Sequence, residues 1–191
     1  MQQPDHLSVS NEVHIRSTVG PTRPAPGPAV DLHIDGGTFT AYLGEPLVDA
    51  INRARIELAQ VCYHPQLGSI QTCDTCSVEI DGQIGRACGT PVAAGMVVRT
   101  QTVAARAAQR DAYDRIVSNH DLYCTVCDNN NGNCTVHNTL GVLGINHQTR
   151  PFQPKGFPKD DSNPFYRYDR TSASCADAAW RPARTCRSTK P

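Results

Sequence analysis

The sequence predicts an α+β chain of two small domains, the first made of strands around one helix and the second largely helical. Three observations predict it. Before residue 100, short stretches alternate apolar and polar residues with the period of half-buried strands. Two stretches, 47–58 and 103–117, space apolar residues so that they share one face of a helix. Seven of the nine cysteines, with His120, fall into two groups of four between Cys62 and Cys134.

Composition bounds the function. At 191 residues the chain can hold one or two small domains. The 18 basic and 18 acidic residues cancel, so charge gives nucleic-acid binding no support. No apolar run approaches the roughly 20 residues that a membrane span needs. The start of the chain lacks the basic-then-apolar pattern of a secretory signal. Clustered cysteines then point to a reducing, cytoplasmic setting, where thiols bind metal instead of pairing as disulfides.

Residues 1–28 are polar and then Pro-rich, with Pro21, Pro24, Pro26 and Pro28 close together. Such a segment buries too little apolar surface to offset its ordering entropy. It predicts a disordered arm; a docking peptide for a partner subunit is the other reading. Val30, Leu32 and Ile34 then alternate with Asp31, His33 and Asp35 as a strand, Asp35-Gly36-Gly37 is a tight-turn signal, and Phe39 and Ala41 complete a hairpin. Gly44-Glu45-Pro46 opens a helix with Pro46 at the favoured first position. Leu47, Ile51, Ala54 and Leu58 form its core face, and its end near Gln60 delivers Cys62.

Residues 68–75 read as a loop. Val78 and Ile80 alternate with Ser77 and Glu79, Asp81-Gly82 marks a second hairpin turn, Ile84 continues the next strand, and 96–100 form a last one. Strand, strand, helix, cysteine-bearing loop, strand, strand is the β-grasp order. A second helix spans 103–118 with Val103, Ala107, Tyr113, Ile116 and Val117 on one stripe, and a short helix follows Cys134 through Leu140. From Gln148 onward Pro151, Pro154, Gly156, Pro158 and Pro164 show no period and predict a linker or surface crossover.

The first ligand group is Cys62, Cys73, Cys76 and Cys88, a C-x10-C-x2-C-x11-C pattern. The second is His120, Cys124, Cys127 and Cys134, an H-x3-C-x2-C-x6-C pattern. Thiolates are soft, anionic donors suited to iron, and four ligands hold one iron–sulfur cluster. Gly68 and Gly85 allow close backbone approach, and N–H groups there can bond to sulfur and tune the potential. A neutral imidazole in place of a thiolate makes the second site less negative. His137 is a competing ligand, and His120 could instead cap its helix through the dipole. A structural zinc module also stays open, although zinc ribbons pair two short C-x2-C knuckles and only Cys73 and Cys76 make one in the first group. No acid–base pair or nucleophile stands in a recognisable setting.

The first group departs from the plant-type ferredoxin run C-x4-C-x2-C. Its spacing resembles the [2Fe–2S] domain of the complex I large peripheral subunit, iron-only hydrogenases and NAD-dependent formate dehydrogenases. The second group resembles the [4Fe–4S] motif of one histidine and three cysteines that follows it, with a last gap of six residues where the family usually has five. Cys62-Tyr63-His64-Pro65-Gln66-Leu67-Gly68, Gln71-Thr72-Cys73-Asp74-Thr75-Cys76, His120-Asp121-Leu122-Tyr123-Cys124-Thr125-Val126-Cys127 and Asn163-Pro164-Phe165-Tyr166-Arg167-Tyr168-Asp169 look like the alpha subunit of soluble NAD-dependent, molybdenum-containing formate dehydrogenase.

The resemblance covers residues 30–170. It implies a [2Fe–2S] ferredoxin-type domain at 29–100, a small helical [4Fe–4S] domain at 101–150 and a linker at 151–170. It also implies electron transfer from a bis-pterin molybdenum centre, far downstream in the family, to partner subunits forming a flavin/NAD diaphorase. The electron-transfer subunit of an NAD-linked hydrogenase, or a piece of complex I, is the alternative.

After Tyr168-Asp169 the family continues into a C-x2-C-x2-C-x3-C run, whereas residues 171–191 carry Cys175 and Cys186 without ligand spacing. One choice of synonymous codons for residues 171–183, read two bases forward, encodes Q-C-I-L-C-G-R-C-V-E-A-C. The tail is therefore expected to be an aberrant, frameshifted segment whose cysteines are not ligands.

Overall fold

The computed structural model describes residues 27–65, 68–120, 124–127, 134–156 and 158–167. The expected arm up to residue 26, the loop 128–133 and the tail 171–191 lie outside the described residues. The fold is the α+β, ferredoxin-like arrangement that the alternation predicts. Strands β1 (Ala29–Ile34) and β2 (Gly37–Tyr42) pair antiparallel with Leu32 opposite Phe39. Asp35 and Gly36 join them at φ 48° and 86°, the two-residue turn whose twist suits a hairpin.

Helix α1 (Leu47–Arg53) crosses one face, and a small hairpin, β3 (Tyr63–His64) with β4 (Gly68–Ser69), follows it. A second long hairpin, β5 (Ser77–Ile80) with β6 (Gln83–Arg86), turns through Asp81 and Gly82 at φ 47° and 85°. Strand β7 (Val97–Arg99) lies between the two long hairpins, parallel to β1 and antiparallel to β5, giving the order β2-β1-β7-β5-β6. Leu32, Ile34, Val78 and Val98 pack with Leu47, Val48 and Ile51 into the first core.

Two expectations about the first helix fail. It stops at Arg53, well short of Gln60, and Pro46 takes the N-cap position instead of the first helical one. Arg55 adopts a left-handed conformation at φ 57°, its N–H donates to Asn52 O at 3.0 Å, and Ile56 N–H donates to Ile51 O at 3.2 Å. That pair of bonds is a Schellman closure, which glycine usually serves and which gives no glycine signal here. Leu58 keeps its helical spacing yet is buried from an extended run, and this run carries Cys62 inward. Residues 68–69, read as loop, are the second strand of the small hairpin.

Helix α2 (Val103–Val117) is capped by Thr102, whose hydroxyl accepts from Ala105 N–H at 3.2 Å. Its buried face is Ala105, Gln109, Ala112, Tyr113, Ile116 and Val117, whereas Val103 is 88% exposed and Ala107 is also exposed. The expected stripe is therefore wrong over its first two turns. A polar residue, Gln109, occupies the inner face there because its amide bonds to two buried carbonyls, Ser77 O and Thr100 O.

Helix α3 (Thr135–Leu143) runs past Leu140 and closes at Gly144, φ 59°. Tyr113, Ile116, Val117, Val136 and Leu143 make a second core, into which Val61, Cys62 and Cys73 also project. The segment after Gln148 is irregular as expected, yet fastened to α2. Asp114 accepts Thr149 N–H at 2.8 Å and Arg150 N–H at 3.0 Å, and Gln153 N–H donates to Ser118 O at 2.6 Å. Among the described residues no helix is long and apolar enough to cross a membrane.

Candidate metal centre

The four cysteines of the first group come from three places and are buried in the interior. Cys62 ends the extended run after α1, Cys73 and Cys76 flank a turn before β5, and Cys88 follows β6. All four are buried and none forms a disulfide. Cys76 and Cys88 line the first core, and Cys62 and Cys73 line the second. Hydrogen bonds from Cys73 and Cys88 hold Cys62 below the ordinary thiol range despite its burial. Cys88 does the same for Cys76. Cys73 and Cys88, the donors, are pushed up by these bonds and by burial.

Backbone amides surround the sulfurs. Thr72 and Cys73 N–H groups face Cys62, Thr75 N–H faces Cys73, and Cys88 N–H donates to Cys76 Sγ at 3.5 Å. Gln71 and Asp74, both left-handed at φ 62° and 59°, turn this stretch so that its amides converge, the geometry of an anion-binding nest. Asp74 is held from outside by ion pairs to Arg86 and, at 3.0 Å, to Arg115 on α2.

The donor set fits a two-iron group. A [2Fe–2S] cluster takes two thiolates on each iron, and the four thiols fall into two pairs, Cys62 and Cys73 in the second core and Cys76 and Cys88 in the first.

The second group is spread over the end of α2, a 3-10 turn (Cys124–Val126) and the N-terminus of α3, with Cys124 and Cys127 exposed and Cys134 half-buried. His120 is half-buried just past α2, and Cys127 N–H closes on Cys124 O at 3.4 Å. Cys134 occupies the N-cap position of α3, where the helix dipole favours an anionic group. Burial pushes the Tyr113 hydroxyl above its usual range, and it donates to Val136 O on α3, two residues after Cys134. His137, the competing ligand, is exposed on α3.

Sequence reasoning missed the hydroxyl of Thr75 beside the Cys73 sulfur, the Gln109 anchor and the Asp74 ion pairs. None carries a periodic or spacing signal.

A β-grasp sheet with a buried four-thiol cradle, followed by a helical segment bearing a histidine and three cysteines, defines an iron–sulfur electron carrier. Residues 27–103 match the 2Fe-2S iron-sulfur cluster binding domain, and residues 109–149 match the NADH-ubiquinone oxidoreductase-G iron-sulfur binding region. The chain belongs to the iron–sulfur regions of NADH-quinone oxidoreductase G-like subunits and carries sites for both a [2Fe–2S] and a [4Fe–4S] cluster.

YrhE of Bacillus subtilis (strain 168), provisionally named a formate dehydrogenase, is 46% identical over 144 residues, 74% of this chain and 15% of the relative. YjgC of the same organism, provisionally named an oxidoreductase, is 47% identical over 138 residues, 72% of this chain and 14% of the relative. A Staphylococcus aureus (strain USA300) protein, also provisionally named a formate dehydrogenase, is 45% identical over 136 residues, 71% of this chain and 14% of the relative. The chain thus spans about 15% of the length of these curated relatives. The crystal structure of an NAD+-reducing [NiFe]-hydrogenase in the H2-reduced state superposes with a TM-score of 0.74 at 18% identity, over 82% of this chain and 66% of that one, a likeness of fold.

Proposed function

We propose that the chain is the electron-relay segment of an NAD-dependent, molybdenum-containing formate dehydrogenase working in the cytoplasm. Cys62, Cys73, Cys76 and Cys88 hold the [2Fe–2S] cluster, and His120, Cys124, Cys127 and Cys134 hold the [4Fe–4S] cluster. Its partners are flavin/NAD diaphorase subunits and the remaining formate dehydrogenase subunits, with electrons passing from the molybdenum site toward the diaphorase. Each bound cluster supplies one-electron oxidation and reduction. The residues of the chain supply the rest: thiols desolvated by the two cores, amides turned toward sulfur, and ion pairs that fix the Cys73–Cys76 turn. The four buried, disulfide-free cysteines at the junction of the two cores carry the reading. Identity of 45–46% to the two relatives named formate dehydrogenases supports formate as the substrate.

Anaerobic purification of the full chain, with iron and sulfide analysis and EPR of the reduced protein, tests the ligand assignment. About six irons per chain with one [2Fe–2S] and one [4Fe–4S] signal are expected, and zinc in place of iron overturns the assignment. Cys73→Ser should abolish the first signal and spare the second, because the two groups share no residue. In the native complex, formate should reduce both clusters; reduction by hydrogen and not by formate would transfer the segment to a hydrogenase.

A further inference from the structure

We propose that a buried hydroxyl, Thr75 Oγ1, donates a hydrogen bond to the sulfur atom of Cys73 and so raises the reduction potential of the [2Fe–2S] cluster. The inference rests on the reading above that Cys73 is one of its ligands.

Thr75 lies between Cys73 and Cys76 and is fully buried. Its hydroxyl oxygen accepts Val61 N–H at 3.1 Å and stands 3.1 Å from Cys73 Sγ. A ligating thiolate only accepts hydrogen bonds. With an acceptor site of the hydroxyl taken by the Val61 amide, its proton is directed at Cys73 sulfur, and the relay Val61 N–H to Thr75 O–H to Cys73 has a fixed sense.

Reduction adds one negative charge that spreads onto the sulfurs. Donors aimed at those sulfurs stabilise the reduced form more than the oxidised form, and charge assistance strengthens them as the charge grows. Such a donor on the Cys73 sulfur therefore favours electron uptake.

The test uses the full chain carrying Thr75→Val, Thr75→Ala or Thr75→Ser, with Cys73→Ser as reference. Iron and sulfide content and EPR come first. The three Thr75 variants are expected to keep the two-iron signal that Cys73→Ser loses; retention of that signal by Cys73→Ser would sink the ligand reading itself. On loaded protein, a spectroelectrochemical titration is expected to show the reduction equilibrium moved about tenfold toward the oxidised form in Thr75→Val, about 59 mV lower for one electron. Thr75→Ser should restore the wild-type value. Thr75→Val also strands Val61 N–H; if it fails to load, Thr75→Ala, which removes the same hydroxyl and leaves room for a water on Val61 N–H, decides. An unchanged potential in the loaded variants overturns the proposal.

Discussion

Gln109 is 1% exposed on the inner face of α2. Its Nε2 donates to Ser77 O at 2.7 Å and to Thr100 O at 3.2 Å. Ser77 follows Cys76 and Thr100 follows β7, so one amide pins the helix to the sheet beside a ligand and beside the exit of the last strand. Gln109→Leu keeps the volume and removes the donor, leaving two carbonyls in buried surroundings. Each stranded group costs about 1–3 kcal/mol, and the additional apolar burial of leucine returns about 1–2 kcal/mol. The net loss is about 2.5 kcal/mol, which for a chain of this size lowers Tm by about 5–10 °C. Circular dichroism melts of anaerobically loaded protein, at one scan rate, read this directly. Val103→Ser is the control, because Val103 belongs to the same helix and is 88% exposed. A drop below about 2 °C, or an equal drop in the control, would refute the anchoring argument.

Two further predictions concern the second core and its strap. Burial alone would raise the Asp114 carboxyl, but hydrogen bonds from Thr149 and Arg150 and the Arg150 charge outweigh it and hold the group below its ordinary value. A lowered folded-state pKa contributes stability above the unfolded value of about 3.9, lost as pH falls through the folded one. Proteolytic cleavage at 148–153 should therefore rise only below about pH 4 in wild type and be present at neutral pH in Asp114→Asn; identical pH profiles would contradict this. Tyr113 is fully buried and donates to Val136 O. Tyr113→Phe should cost about 1 kcal/mol and keep both EPR signals. Tyr113→Ala should cost about 3–5 kcal/mol and weaken both signals; loss of the second alone would show that the core is not shared.

Much of the fold was legible because the relevant signals are local. Asp35-Gly36 and Asp81-Gly82 mark their hairpins by residue type, and alternation places Leu32, Ile34 and Val78 inside. The first thiol group stood out by its spacing, and its four cysteines are all buried. The end of α1 was not, because Arg55 closes the helix where glycine would have announced it. The inner face of α2 was misread at Val103 and Ala107 because apolar periodicity cannot register a buried glutamine whose partners are carbonyls distant in the chain. The hydroxyl beside the Cys73 sulfur stayed hidden for the same reason, since its meaning lies in what it faces.

The boundary between the two cluster-binding regions also looks different in three dimensions. Cys62 and Cys73 precede α2 by many residues yet line the core that Tyr113 and Val136 build. The tie at the surface runs the same way, because Asp74, inside the Cys73–Cys76 turn, is paired with Arg86 just before Cys88 and with Arg115 on α2. Half-exposed ion pairs of this kind contribute at most about 1 kcal/mol each, too little to be the reason the regions stay together. Their geometric effect is larger than their energy. One carboxylate fixes the position of the turn between two ligands relative to the strand leading to a third and to the helix that ends at His120. The packed core supplies the stability, and the ion pairs supply the register in which the thiols of the first group and the helix leading to the second are presented.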